Sequence, residues 1–345
     1  MRDRPLTVLW LILLIGSVLS ACGQRSDTVV AIALHPVKPN ILYIATDEAV
    51  YKSQDAGATW TRLNGELART RVISLAIDPQ LPANIFAGTN GDGTYKSPDG
   101  GRNWHQFNAG LQKGTISAIV NQVVFNPLGS ETVYAATTVG VFRSSDGGRN
   151  WTERMAGMTE INFIVALAID PAHPNIMYAG TTGGVYRTKN ATESWEKITV
   201  GMVAFDAKMA SMALGVNRIV IDEFNNDTIY AGTTRGLFKS TNQGDQWTKI
   251  GKDLGEVYVS GIQLDPAEPQ TIYLATSEGV QKSPDGGNTW ELKDAGLEAK
   301  SIRSIQISPQ DPKILYAGTN GGGLYRTVNG GENWTRLPLT SATSR

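Results

Sequence analysis

Three arginines, Arg71, Arg218 and Arg303, fall near the starts of short apolar runs such as Ile302 to Ile307. Guanidiniums gathered at one place would suit an anionic group, because each offers a rigid fork of donors. The plainer use for them is pairing with loop carboxylates or polar lining of a mouth. Glycine turns elsewhere carry Asp47, Glu48, Asn90, Asp92, Arg235, Glu278 and Asn320. That mixed-sign set suits hydrogen-bonded recognition and names no ligand, and solvated turns carry such residues too. Sequence fixes no separation between carboxylates, so no pair is assigned to glycoside hydrolysis and no catalytic residue is assigned at all. His35, His105 and His173 have no mutual spacing suited to a metal, and neither metal nor cofactor is expected. Lys and Arg number 31 against 32 Asp and Glu, scattered along the chain, so no basic stripe speaks for nucleic acid.

The strongest apolar feature is residues 200 to 216, where Met202, Phe205, Met209 and Met212 fall at helical spacing. A Met-rich stripe adapts to irregular partners, and these four residues are the first candidates for a partner contact. The competing reading packs the stripe onto the body of the protein.

The elements that position these residues repeat. Ser97-Pro-Asp99-Gly-Gly-Arg-Asn-Trp104 has six further versions, ending at Trp60, Trp151, Trp195, Trp247, Trp290 and Trp334. Successive tryptophans are 44, 47, 44, 52, 43 and 44 residues apart. Each unit holds an apolar run, a polar or Pro-containing turn and a second run, Ile314-Leu-Tyr-Ala-Gly-Thr319 in the last. A glycine turn, a third run, the eight-residue phrase and a short outer run follow. A period of roughly 40–50 residues with four short strands marks a propeller blade. The fold expected is all-β, a single seven-bladed β-propeller with four antiparallel strands per blade. Within the phrase, the Ser hydroxyl and the carboxylate (Asp55, Asp99, Asp146, Asp285) can bond turn amides, and the Gly permits positive φ. The Trp buries its ring between sheets. Blade 4 has Thr192 where the others have Gly, which puts the geometry of its turn in question.

The pattern S-x-D-x-G-x-x-W, carried on Tyr-Ala-Gly-Thr strands, resembles the Asp-box (BNR) repeat. The resemblance implies peripheral boxes with a structural role, remote from the ligand face. It implies little about function, because sialidases, xyloglucanase-like glycosidases, sortilin-type receptors and photosystem II assembly-factor propellers share it. The Arg-Ile-Pro signature of sialidases is missing here, sialidase propellers have six blades, and a xyloglucanase-like cleft needs two propellers where this chain has residues for one.

Met1-Arg-Asp-Arg4 and the apolar Leu6 to Leu19 read as a signal peptide over residues 1–21, and Leu19-Ser-Ala-Cys22 resembles a bacterial lipobox. Cys22 is the single cysteine; a lipid on it would anchor the chain to a membrane by a tether over residues 22–27. The propeller is expected over 28–338 and a tail over 339–345. The expectation is a monomeric, non-catalytic, extracytoplasmic lipoprotein that binds a protein partner at the membrane surface. A glycan-binding or glycan-cleaving surface protein is the alternative, with Tyr258 and Phe163 as the aromatic platforms it would use.

Overall fold

The computed structural model describes residues 28–339 apart from 64, 114–115, 118, 161–162 and 203–213. Seven antiparallel sheets follow one another, each of four strands in sequence order. Blade 1 consists of Val29–Leu34, Leu42–Thr46, Val50–Ser53 and Thr61–Leu63. Blades 2 to 7 occupy 72–106, 120–153, 164–197, 216–250, 259–292 and 302–337. The expected fold is the fold found. A two-stranded ribbon (Gln112–Lys113 with Ile116–Ser117) is inserted between blades 2 and 3.

First strands form the inner ring, each touching the first strands of both neighbours, with blade 7 closing onto blade 1. Second strands are buried over a run of five residues in every blade, which is why they read as unbroken runs such as Leu-Tyr-Ala-Gly-Thr. The glycine of that run is a matter of space. A Cβ on Gly318 would lie 2.7 Å from the carbonyl oxygen of Val29, on the first strand of blade 1. Each blade is complete in itself, and blade 7 meets blade 1 by side-chain packing. Val29, Ile32, Trp60, Tyr316 and Leu324 share one apolar cluster across that junction.

The repeated turn works as expected locally. In blade 1, Ser53 Oγ donates to Asp55 Oδ1 (2.8 Å) and accepts from the Gly57 amide (2.8 Å), while Asp55 Oδ1 accepts from the Thr59 amide. Blade 4 keeps this turn: Thr192 takes the left-handed conformation of the missing glycine (φ 74°), and its amide donates to Thr188 Oγ1 at 3.1 Å. The question raised by Thr192 is thus answered, with a β-branched residue held where glycine is at ease.

The turn also joins blades, which local pattern did not reveal. Lys52 Nζ and Tyr43 Oη of blade 1 donate to the carbonyl of Gly100 in the turn of blade 2 (2.8 and 3.0 Å). Lys96 reaches Gly147 O, Arg187 reaches Gln243 O and Lys239 reaches Gly286 O in the same way. Tyr316 Oη closes the ring on Ala56 O at 3.3 Å. In the reverse direction, the indole N–H groups of Trp151, Trp195, Trp247 and Trp334 donate to Phe107, Arg154, Ile198 and Lys293 carbonyls behind them (2.8–2.9 Å).

Candidate ligand site at the channel mouth

One end of the ring carries the repeated turns. Their amides bond the turn between first and second strands, as Gly100 N does Ala83 O. The other end carries the turns between second and third strands, each built on a buried threonine: Thr46, Thr89, Thr137, Thr181, Thr233, Thr276 and Thr319 donate to a carbonyl across the turn. These turns bond the residue that leads into the first strand of the same blade, as Asn90 N does Arg71 O and Ser277 N does Tyr258 O. Both loop sets therefore lie at one end, around the channel, with the tryptophan turns at the opposite end.

The channel is a cavity of about 520 Å³ between the first strands. A register shift in every first strand, between Val29 and Ala31 in blade 1 and Val216 and Arg218 in blade 5, marks a bulge. The bulge residues are Val30, Ile73, Asn121, Val165, Asn217, Ser260 and Arg303. Three of them tie the ring: Asn121 Nδ2 donates to Ile164 O, Asn217 Nδ2 to Val259 O and Ser260 Oγ to Ile302 O (2.7–3.0 Å). Asn121 and Asn217 are therefore structural polar groups, bridging to the next blade.

The three arginines part company here. Arg71 precedes its strand, is exposed, and pairs with Asp47 of blade 1 on the rim, outside the channel lining. Arg303 is the bulge residue of blade 7, exposed at the channel. Arg218 sits one residue past its bulge, in register with Ala166 of blade 4 and Gly261 of blade 6, two small neighbours. Among the described residues its guanidinium has no hydrogen-bonding or carboxylate partner, and desolvation alone pulls its pKa below the ordinary arginine value. It stays charged, since arginine does not deprotonate in proteins. No Asp, Glu or Lys is among the described residues that line the channel.

The other candidates are scattered. Asp92 is exposed and accepts from the Thr70 hydroxyl; Arg235 is half-buried in a turn whose Thr233 Oγ1 accepts the Arg235 amide; Glu278 is exposed in the equivalent turn of blade 6. Met202 faces inward, 8% exposed, in a cluster with Leu214, Ile198 and Trp247, so it is core and not surface. Phe205, Met209, Met212, Cys22, the signal region and the tail from 340 lie outside the described residues. Tyr258 lines the channel mouth at 46% exposure, and Phe163 is 53% exposed before the first strand of blade 4. His35 is a turn residue, its Nδ1 accepting the Val37 and Lys38 amides, and His173 sits in the matching turn of blade 4 beside Asp170.

Gln122, Gln263, Gln306 and Ser304 were not anticipated. Gln122 is committed to the Leu167 amide, but Ser304 Oγ is buried without a partner, and Gln263 and Gln306 have none among the described residues. Superposing the seven first strands in sequence would have exposed them. Blades 1, 2 and 4 read Val-Val-Ala-Ile-Ala-Leu, Val-Ile-Ser-Leu-Ala-Ile and Ile-Val-Ala-Leu-Ala-Ile, whereas blades 6 and 7 carry Gln at the fifth place.

No family model and no curated protein matches the chain. Solved structures do. A GH74 xyloglucanase from Xanthomonas campestris superposes with a TM-score of 0.70 at 18% identity, covering 89% of this chain and 54% of that one. YCF48 bound to a D1 peptide gives 0.65 at 16%, covering 88% and 94%. The extracellular domain of BT4673, a one-component system of B. thetaiotaomicron, gives 0.69 at 16%, covering 88% and 39%. These likenesses show the fold. The chain spans about half the length of the xyloglucanases and nearly all of YCF48.

Proposed function

We propose that this chain is a non-catalytic propeller, anchored by lipid on Cys22 at the extracytoplasmic side of a membrane. It binds a protein partner with its channel-mouth face, in the assembly or stabilisation of an envelope complex. The observation that carries this reading is the chemistry of the mouth. Its described lining combines cations with neutral polar groups, a set suited to holding the polar and anionic groups of a partner. Loops at one end of a rigid scaffold are where recognition is built. The rim supplies Asp92, Arg235 and Glu278, and the sequence that connects blades 4 and 5 carries Phe205, Met209 and Met212. The YCF48 structure shows a one-propeller protein of similar length holding a peptide, which suits the same use here.

The test is capture from detergent-solubilised membranes, native chain against Phe205→Glu with Met209→Glu. Met202 is left alone because it is core. The same protein recovered with the native chain from independent preparations, and lost with the equally folded variant, is the expected result. Equal recovery by both moves the contact elsewhere. A second reading, glycan binding, is favoured by Tyr258, an aromatic ring half exposed at the mouth; retention on a polysaccharide column abolished by Tyr258→Ala would establish it instead.

A further inference from the structure

Arg218 poses a problem that partner binding on the rim leaves untouched. The Arg218 guanidinium is half-buried at the channel and has no carboxylate partner among the described residues, so its charge is balanced from the channel side, by water or by an anion. It shares the cavity with Arg303, Gln263 and Gln306. Gln306 lies two residues beyond Ser304 on one strand, about 7 Å deeper along the channel wall.

We propose that the central channel binds a small monocarboxylate with a hydroxylated body, its carboxylate on the Arg218 guanidinium and its hydroxyls on Gln263 and Gln306. A planar fork of donors matches a carboxylate in two parallel hydrogen bonds. The neutral amides of Gln263 and Gln306 both donate and accept, which suits alcohols. Arg303, at the exposed end, draws the anion in and is screened by solvent. A monoanion fits better than a phosphate monoester, which carries about −1.5 to −2 and would bring a second charge beside one half-buried cation. The cavity, about 520 Å³, equals roughly 17 waters at ~30 Å³ each, room for a six-carbon acid with water to spare.

The experiment is calorimetric titration of the full chain with D-glucuronate, against D-glucose and sn-glycerol 3-phosphate, in native protein and in Arg218→Met. Glucuronate should bind one site per chain, glucose about tenfold or more weakly, and Arg218→Met should weaken glucuronate by about tenfold or more. Without ligand, the thermal midpoint of Arg218→Met should rise, because a half-buried charge with no carboxylate partner among the described residues has been replaced by an apolar chain of similar length. A midpoint that falls would show that the guanidinium has a structural partner, and would overturn the proposal. So would no heat from glucuronate at about 10 mM, where even weak carboxylate sites respond. Unchanged affinity in Arg218→Met, or tighter binding of the phosphate ester than of glucuronate, would do the same.

Discussion

At the scale of single residues, the turn carboxylates combine a fixed geometry with a titratable charge. Asp285 is held at a pKa of about 2 by the Thr289 amide and hydroxyl that it accepts, and Asp55 is lowered by the Thr59 hydroxyl and amide. In an unfolded chain both would titrate near 3.9. A folded-state value below the unfolded one contributes stability that is present above about pH 4 and is lost as the pH falls towards 2. Blades 4, 5 and 7 carry Asn at this position, and Asn190, Asn242 and Asn329 accept the same backbone amide at 3.0 Å. In blade 4 the Asn190 amide also donates to the Ser194 hydroxyl, a bond that a rotated Thr289 or Thr59 hydroxyl can copy. Asp55→Asn with Asp285→Asn should therefore fold, with a midpoint below native at pH 7. The gap should close as the pH drops from about 4 to about 2, read by circular dichroism melts. Parallel curves for native and variant over that range would refute the assignment.

At the scale of the element, the repeated turn is both a cap on its own hairpin and a clamp on the next sheet. Only the first role was legible in the sequence, since Ser, Asp and Gly spacing reports contacts within eight residues. The Lys52 and Tyr43 bonds to Gly100 span 48 and 57 residues, and nothing in a local pattern announces which blade a lysine will face. The clamp makes the tryptophans unequal. Trp247 is 2% exposed and donates to Ile198 O at 2.8 Å, while Trp60, 1% exposed, has no partner for its indole N–H among the described residues. Trp247→Phe leaves a buried carbonyl bare, whereas Trp60→Phe removes an orphaned donor. Urea melts should therefore show Trp247→Phe to be the more destabilised of the two by about 1–2 kcal/mol. Equal losses would mean that area alone decides, and the inter-blade bond adds nothing. The channel was read only in part for a related reason. Arg218 and Arg303 were visible as cations near strand starts. Their separation from Arg71 depends on a bulge that places Arg303 at the irregularity, Arg218 beyond it and Arg71 outside, a one-residue matter that apolar periodicity does not resolve.

At the scale of the whole molecule, seven complete blades leave the ring with one junction that the chain does not cross. That junction is built like the others: Gly318 admits Val29, Tyr316 bonds Ala56 O, and Leu337 packs beside Gly57 and Trp60. Among the described residues it lacks the indole bond that Trp247 makes across the blade 4–5 junction, as do the blade 1–2 and 5–6 junctions, and it alone has no covalent link, so opening should begin there. Ending the chain at Val328 removes Trp334 and Leu337 together and should abolish a cooperative melt. The sharper trial moves the break without deleting anything. Nine residues, 293–301, connect Leu292 of blade 6 to Ile302 of blade 7, so a nine-residue Gly/Ser linker from Leu337 to Val29 has the reach of a natural connection. New ends between Phe205 and Asp206 keep Ile198 and Val200, the acceptors that Trp247 uses. In this permutant the weak junction is covalently closed, and the opened one retains its indole clamp. Its thermal midpoint should equal or exceed that of a native chain cut to residues 28–339. A folded permutant that melts well below that reference would show that blades 1 and 7 are already held as firmly as any pair, and that opening starts elsewhere in the ring.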